Sequence, residues 1–168
     1  MPVPPQHRPF WEAFLATRPD AEEARFYESF AFGDSERMAE ELAQLVLAGI
    51  KRATAGAVWA CEANGQRPPA PGDLSIVTDW AGHPLCVIET LHTETVPFRE
   101  VSAEFAAVEG EGDGSLEYWR EGHRAFFSWE CARAGRTFSE EMLVVCERFR
   151  VVFGPESTSF ATRDPGDR

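Results

Sequence analysis

The spacing of apolar residues changes period part-way along the chain, and that change limits the folds open to it. Before residue 49 apolar side chains recur at helical intervals; from residue 73 the middle of the chain turns to strands. Phe10, Phe14 and Leu15 make a short helical stripe ended by Pro19. Asp20 then caps a predicted helix over 21–31, closed near Gly33. Asp34 or Ser35 caps another, in which Met38, Leu42, Leu45 and Val46 fall at i, i+4, i+7 and i+8, predicting one buried face, and Gly49 ends it. Pro71-Gly72-Asp73 opens the strand part. Leu74, Ile76 and Trp80 alternate with polar residues, and Ala81-Gly82-His83-Pro84 turns the chain into a long apolar run from Leu85 to Val96. A short helix is predicted over 101–108. A longer one follows over 115–134, with Leu116, Trp119, His123, Phe126 and Phe127 on one face. A last strand spans 142–153, where Leu143, Val145, Phe149, Val151 and Phe153 share a side. This order predicts an α+β fold rather than a doubly wound sheet: a small mixed β-barrel flanked by helices, with additional helices before it.

At 168 residues the chain suffices for one domain, placed over 10–153. Residues 1–9 and 154–168, rich in Pro, Gly, Ser and charge, are expected to be flexible ends. Cys61, Cys86, Cys131 and Cys146 stand far apart, as buried thiols in a reducing compartment would. With no signal peptide and no membrane-length apolar run, a cytoplasmic protein is expected. A formal net charge of −12 repels polyphosphate at long range, which excludes generic duplex-DNA binding. The Arg and acidic clusters suit a monomer and a dimer equally.

Of the 16 basic residues only Lys51 is a lysine, and it lies in Gly49-Ile50-Lys51-Arg52-Ala53-Thr54, where a helix gives way to the next element. Arg stays protonated in proteins, whereas Lys can act as a base. On a helical turn Lys51 and Thr54 would share a face, and the cation of Arg52 would disfavour the ammonium form. The competing reading has Lys51 and Arg52 neutralise the preceding helix end while Thr54 caps the next helix.

Glu109-Gly110-Glu111-Gly112-Asp113-Gly114-Ser115 begins like an EF-hand loop, but the twelfth position is Arg120 where a bidentate Glu is required. The plainer reading is a tight turn in which Asp113 or Ser115 caps the next helix. Glu109 is then the candidate carboxylate for acid–base work with Lys51. Arg120 suits a carboxylate or phosphate clamp, or an ion pair with Glu117 or Asp113. His123, on an aromatic stripe, reads first as a hydrogen-bonded core residue. No zinc spacing and no serine-hydrolase elbow are present.

Together these segments resemble the ASCH family, whose domain adopts a PUA-like fold. The resemblance covers about residues 30–153. It runs through Phe32-Gly33-Asp34, Leu45 to Thr54, Pro71-Gly72-Asp73, Val96-Pro97-Phe98, the EGEGD stretch, Trp119-Arg120 and His123. It implies an RNA- or nucleoside-related role in the longer bacterial branch of the family. Small members are metal-independent amidohydrolases acting on N4-acetylcytidine, and their catalytic Lys, Thr and Glu correspond to Lys51, Thr54 and Glu109. Arg52, Glu111, Asp113, Trp119, Arg120 and His123 are the candidate substrate-binding residues around them. In this reading Lys51 takes a proton from Thr54 or a water, Glu109 relays a proton, and Arg52 or nearby backbone N–H groups steady the oxyanion. The implied ligand is a nucleoside or single-stranded RNA, with no metal or other cofactor. Two alternatives are a metal-independent ribonuclease assisted by Tyr27, Tyr118 or Ser128, and a non-catalytic RNA- or nucleotide-binding module. This chain departs from the small amidohydrolases in having Phe105-Ala106 where they carry His-Ala, and in its EGEGD loop.

Overall fold

The computed structural model describes residues 1–155. Five strands, β1 (Phe26–Phe30), β2 (Ala53–Ala57), β3 (Leu74–Thr78), β4 (Pro84–Pro97) and β5 (Leu143–Phe153), form one sheet in the order β1-β3-β4-β5-β2. β1 runs parallel to β3, and the other neighbours are antiparallel. The expected barrel strands are thus present, in a sheet with no ladder joining β1 to β2 among the described residues. Helices α1 (Arg8–Thr17), α2 (Glu36–Leu47), α3 (Val58–Ala63), α4 (Ala103–Glu109) and α5 (Leu116–Arg133) cover it.

Because both faces are covered, β3 is buried at every position, and its apolar side chains divide between two clusters. Leu74 and Ile76 pack with Trp11 and Phe14 of α1, while Val77 joins Val46 of α2 and Phe149 of β5. A third cluster joins β2 to α4 and α5 through Ala53, Phe105, Trp119 and Phe127. The amino-terminal residues, expected to fray, are packed: Val3 is buried, and His7 hydrogen-bonds Ser29 Oγ at 2.9 Å and the Gly82 carbonyl at 2.7 Å. Of the expected tail, 156–168 lies outside the described residues.

Three local expectations are corrected. The segment 21–31 is not a helix: a single 3-10 turn, Glu23–Arg25, leads into β1. Phe26 packs edge-on against Trp11 while the backbone pairs with β3, and this tertiary pairing overrides local helical propensity. A β-bulge also interrupts β1, since Phe26 opposes Leu74 and Glu28 opposes Ser75, leaving Tyr27 as the extra residue. In α2 the buried residues are Ala39, Ala43 and Val46. The stripe Met38, Leu42 and Leu45 forms instead a wall of the cavity described below. In β5, Val145, Phe149 and Phe153 are buried as expected, but Leu143 and Val151 are exposed.

Candidate active site

A cavity of about 400 Å³ opens between α2, α3, α5 and the concave side of the sheet. Lys51 lies in its wall. The residue follows α2 directly, where Gly49 (φ +75°) reverses the chain and the Lys51 N–H returns to the Leu45 carbonyl at 3.1 Å. Its side chain is 2% exposed, and its ammonium donates to the Ala53 carbonyl at 2.8 Å and to Glu111 Oε1 at 2.7 Å. Glu109 Oε1 stands 3.7 Å away and the Phe32 ring centroid 5.2 Å away. A buried ammonium is tolerable only with such acceptors around it.

The glycine-rich loop delivers both carboxylates. Glu109 is the last residue of α4, capped by Gly110 in the left-handed region at φ +66°. A Cβ on Gly110 would stand 2.5 Å from the Ile50 carbonyl oxygen, so only glycine lets the loop lie against the segment that carries Lys51. Gly110→Ala is expected to cost about 2 kcal/mol or more of stability, from left-handed strain and backbone overlap. Urea unfolding beside the wild type measures this. An unchanged midpoint would refute the close-approach account.

Glu109 is completely buried and accepts a short hydrogen bond from Trp119 Nε1. His123 Nε2 is 3.2 Å from the same oxygen, its ring stacks on Trp119 at 4.0 Å, and its Nδ1 faces the Trp119 carbonyl at 2.9 Å. Burial alone would raise the Glu109 carboxyl, but Lys51, His123 and the Trp119 bond more than offset it and hold it below its usual value. The reverse holds for His123: burial lowers it, and Glu109 and Glu111 outweigh that and raise it. With acceptors opposite both ring nitrogens, the surroundings of His123 favour its imidazolium form. Two cations and two carboxylates therefore form one compact network.

Glu109, Glu111 and His123 also bring three ligand atoms within 4.8 Å of one another, a spacing that suits a metal ion. The Lys51 ammonium already sits against two of these groups, so a divalent cation would have to displace it.

The sequence-derived set divides in the structure. Lys51, Thr54, Glu111 and His123 line the cavity, whereas Glu109 and Trp119 are sealed beneath it. Thr54 lies in strand β2 opposite Glu147, so it neither shares a helical turn with Lys51 nor caps a helix. Arg52 is exposed and outside the lining; the charge facing Lys51 is carboxylate, not guanidinium. Asp113 is exposed and accepts from the Ser115 N–H, while Ser115 Oγ caps α5. Arg120 donates to the Arg99 carbonyl at 3.2 Å, away from the cavity. Arg52, Asp113 and Arg120 are thus not brought to the site.

Sequence reasoning missed Glu28 of β1 and Glu147 of β5, which also line the cavity. Burial, and then the charge of Glu147, push Glu28 up to about 7. Burial likewise raises Glu147, against the opposing 2.6 Å bond from Thr90 Oγ1. Glu147 carried one signal, a carboxylate at the same strand parity as Val145 and Phe149. Glu28 was hidden by the helical reading of its segment.

A model of the ASCH domain matches residues 28–153, three quarters of the chain. The protein belongs to the ASCH-domain family. This ASCH domain is similar to the crystal structure of an ASCH domain from Lactobacillus crispatus JV V101, 37% identical, over 90% of this chain and 96% of that one, with a TM-score of 0.80. A crystal structure of a protein from Enterococcus faecalis V583 is 31% identical over 97% of this chain and 98% of that one, also with a TM-score of 0.80. No curated protein matches the chain. The mixed sheet with its helices is thus the PUA-like fold of ASCH domains, and the barrel part of that fold is here an open sheet. Among the described residues no helix is long and apolar enough to cross a membrane.

Proposed function

We propose that this ASCH domain is a metal-independent amidohydrolase acting on N4-acylated cytidine-type nucleosides. The observation that carries the reading is the burial of the chain's only lysine in a cavity wall, hydrogen-bonded to a cavity-lining carboxylate, with the Thr54 strand beside it. The charge of the cavity supports an uncharged ligand. Its two cations, Lys51 and His123, already face Glu111 and Glu109, and Glu28, Glu41, Glu130 and Glu147 also line it, an arrangement that does not gather phosphates.

The contacts favour a division of labour different from the one inferred by resemblance. Lys51 already donates its protons, so it serves as the acid and Glu111 as the base. Glu111 takes a proton from a water as its oxygen attacks the acyl carbon, and the Lys51 charge steadies the resulting oxyanion. As the C–N bond breaks, Lys51 gives a proton to the departing exocyclic nitrogen. The proton on Glu111 then returns to Lys51 across 2.7 Å, leaving the free amine and the carboxylic acid as products. Thr54 orients the attacking water from β2. Glu109 is a positioning residue, holding Lys51 and His123 from beneath.

The test is turnover of N4-acetylcytidine by the full chain, followed by chromatography at low and high salt. Cytidine should form at a rate that changes less than about twofold with salt, because the substrate is uncharged. Absence of turnover at high enzyme would reject this substrate. Cleavage of single-stranded RNA, with steep salt dependence, would replace the reading with the ribonuclease one.

A further inference from the structure

The lower wall of the cavity is built in a way that the hydrolytic reading does not require. Thr54 on β2, Glu147 on β5 and Glu28 on β1 line it, and the strands between carry two further polar residues outside the lining, Thr90 on β4 and Ser75 on β3. Thr54 and Glu147 are paired across one ladder, Thr90 donates to Glu147, and Glu28 is opposite Ser75. Ser75 and Thr90 are buried. Among the described residues neither Glu28 nor Glu147 is paired with a basic side chain, whereas Glu89 on the same sheet is held by Arg25 and Arg150. Half-buried carboxyls held by no salt bridge are costly, and two of them beside a cavity point to a ligand. The bulge at Tyr27 adds to this. It lets Phe26 stay in the core with Leu74 while Glu28 follows Ser75 towards the cavity.

We infer that Glu28 is a specificity-determining residue, whose carboxyl group reads the edge of a heterocycle carrying an acceptor ring nitrogen beside an N–H donor. The inference rests on the nucleoside reading of the same cavity. A neutral carboxyl offers one donor and one acceptor side by side, the complement of the ring-nitrogen and exocyclic N–H edge of a cytosine-type base. As a carboxylate it offers acceptors only and faces the ring lone pair unfavourably. Burial and Glu147 keep Glu28 protonated up to about pH 7. The other ionisable groups of the cavity are Tyr27 on its own strand, Glu147 on β5, Cys61 on α3, Tyr118, His123 and Glu130 on α5, Glu41 on α2, and Lys51 with Glu111. Of these, Glu147 reinforces the protonated form.

Glutamine reproduces the donor–acceptor pair without titrating, and leucine removes it, so the two variants separate recognition from packing. The experiment is calorimetric titration of cytidine into the full chain at pH 6 and pH 8.5, for wild type, Glu28→Gln and Glu28→Leu, with thermal midpoints to verify folding. Wild-type affinity should fall about thirtyfold between the two pH values, the loss of the protonated fraction of a group titrating near 7. Glu28→Gln should bind within about threefold of wild type at pH 6 and show no such fall. Glu28→Leu should bind at least about tenfold more weakly, the loss expected when a polar edge meets no partner. Unchanged binding in Glu28→Leu, equal loss in both variants, or a persisting pH dependence in Glu28→Gln would overturn the inference. Turnover of N4-acetylcytidine without cytidine binding would overturn the role of Glu28 and leave the hydrolase standing. Glu28-dependent cytidine binding without turnover would do the reverse.

Discussion

Lys51→Ala is expected to lower N4-acetylcytidine turnover by at least about a hundredfold, the usual contribution of a positioned acid–base group. No other group stands ready to replace it. The remaining cation near the site, His123, is bonded to Glu109 and the Trp119 carbonyl and so has both nitrogens occupied. Removing the ammonium also leaves Glu109 and Glu111 facing each other without the charge that lies 3.7 and 2.7 Å from them. In the proposed mechanism Glu111 then loses the partner that resets it after each cycle. The loss should fall on kcat more than on KM, because Lys51 acts on charge that develops during reaction. Chromatographic rates for purified wild type and variant, with folding checked by circular dichroism, decide the matter. Near-normal turnover in a folded variant would remove Lys51 from the mechanism.

A second large effect concerns stability. Glu109→Leu should cost about 3–5 kcal/mol, because breaking a buried charge network by removing one member strands the others. Lys51 would keep Glu111, but His123 and the buried Trp119 indole would lose their shared acceptor. The pH dependence gives a sharper signature. Glu109 is lowered in the folded chain, so its contribution is present above the ordinary value of 4.5 and is lost as pH falls through the lowered one. His123 is raised, so its contribution is full below the ordinary 6.5 and is lost as pH rises through the raised value. Urea unfolding of the wild type should therefore show a stability plateau that declines at both ends. In Glu109→Leu the alkaline decline should flatten, since the main charge raising His123 is gone. A variant with wild-type stability and an unaltered profile would show that the network contributes nothing to folding.

How far the site could be read from the chain depends on which forces place each residue. Lys51 was conspicuous as a lone lysine among arginines, and Glu109 and Glu111 as carboxylates in a glycine run, because such features are local. The α2 stripe was legible as a periodicity, but a periodicity does not say whether an apolar face meets the core or an open cavity. Met38, Leu42 and Leu45 met the cavity, while the smaller Ala39 and Ala43 are the buried ones. Arg52 illustrates the opposite failure. Adjacent to Lys51 in sequence, it points to solvent, because Lys51 precedes a strand and neighbouring side chains there diverge. Glu28 and Glu147 come together only through strands distant in sequence, and no local pattern encodes that pairing.

The irregularity in β1 bears on how relatives of this protein diverge. Tyr27 is supernumerary: deleting that one codon would restore an ordinary ladder, with Phe26 still opposite Leu74 and Glu28 still opposite Ser75. Neither the core contact nor the carboxyl would change sides, yet the cavity would gain the space of an aromatic ring. Most single-residue deletions in a strand invert every side chain beyond them; this one is neutral to register. A length change at this one position therefore alters the size of the cavity while leaving the pairing of the sheet as it is.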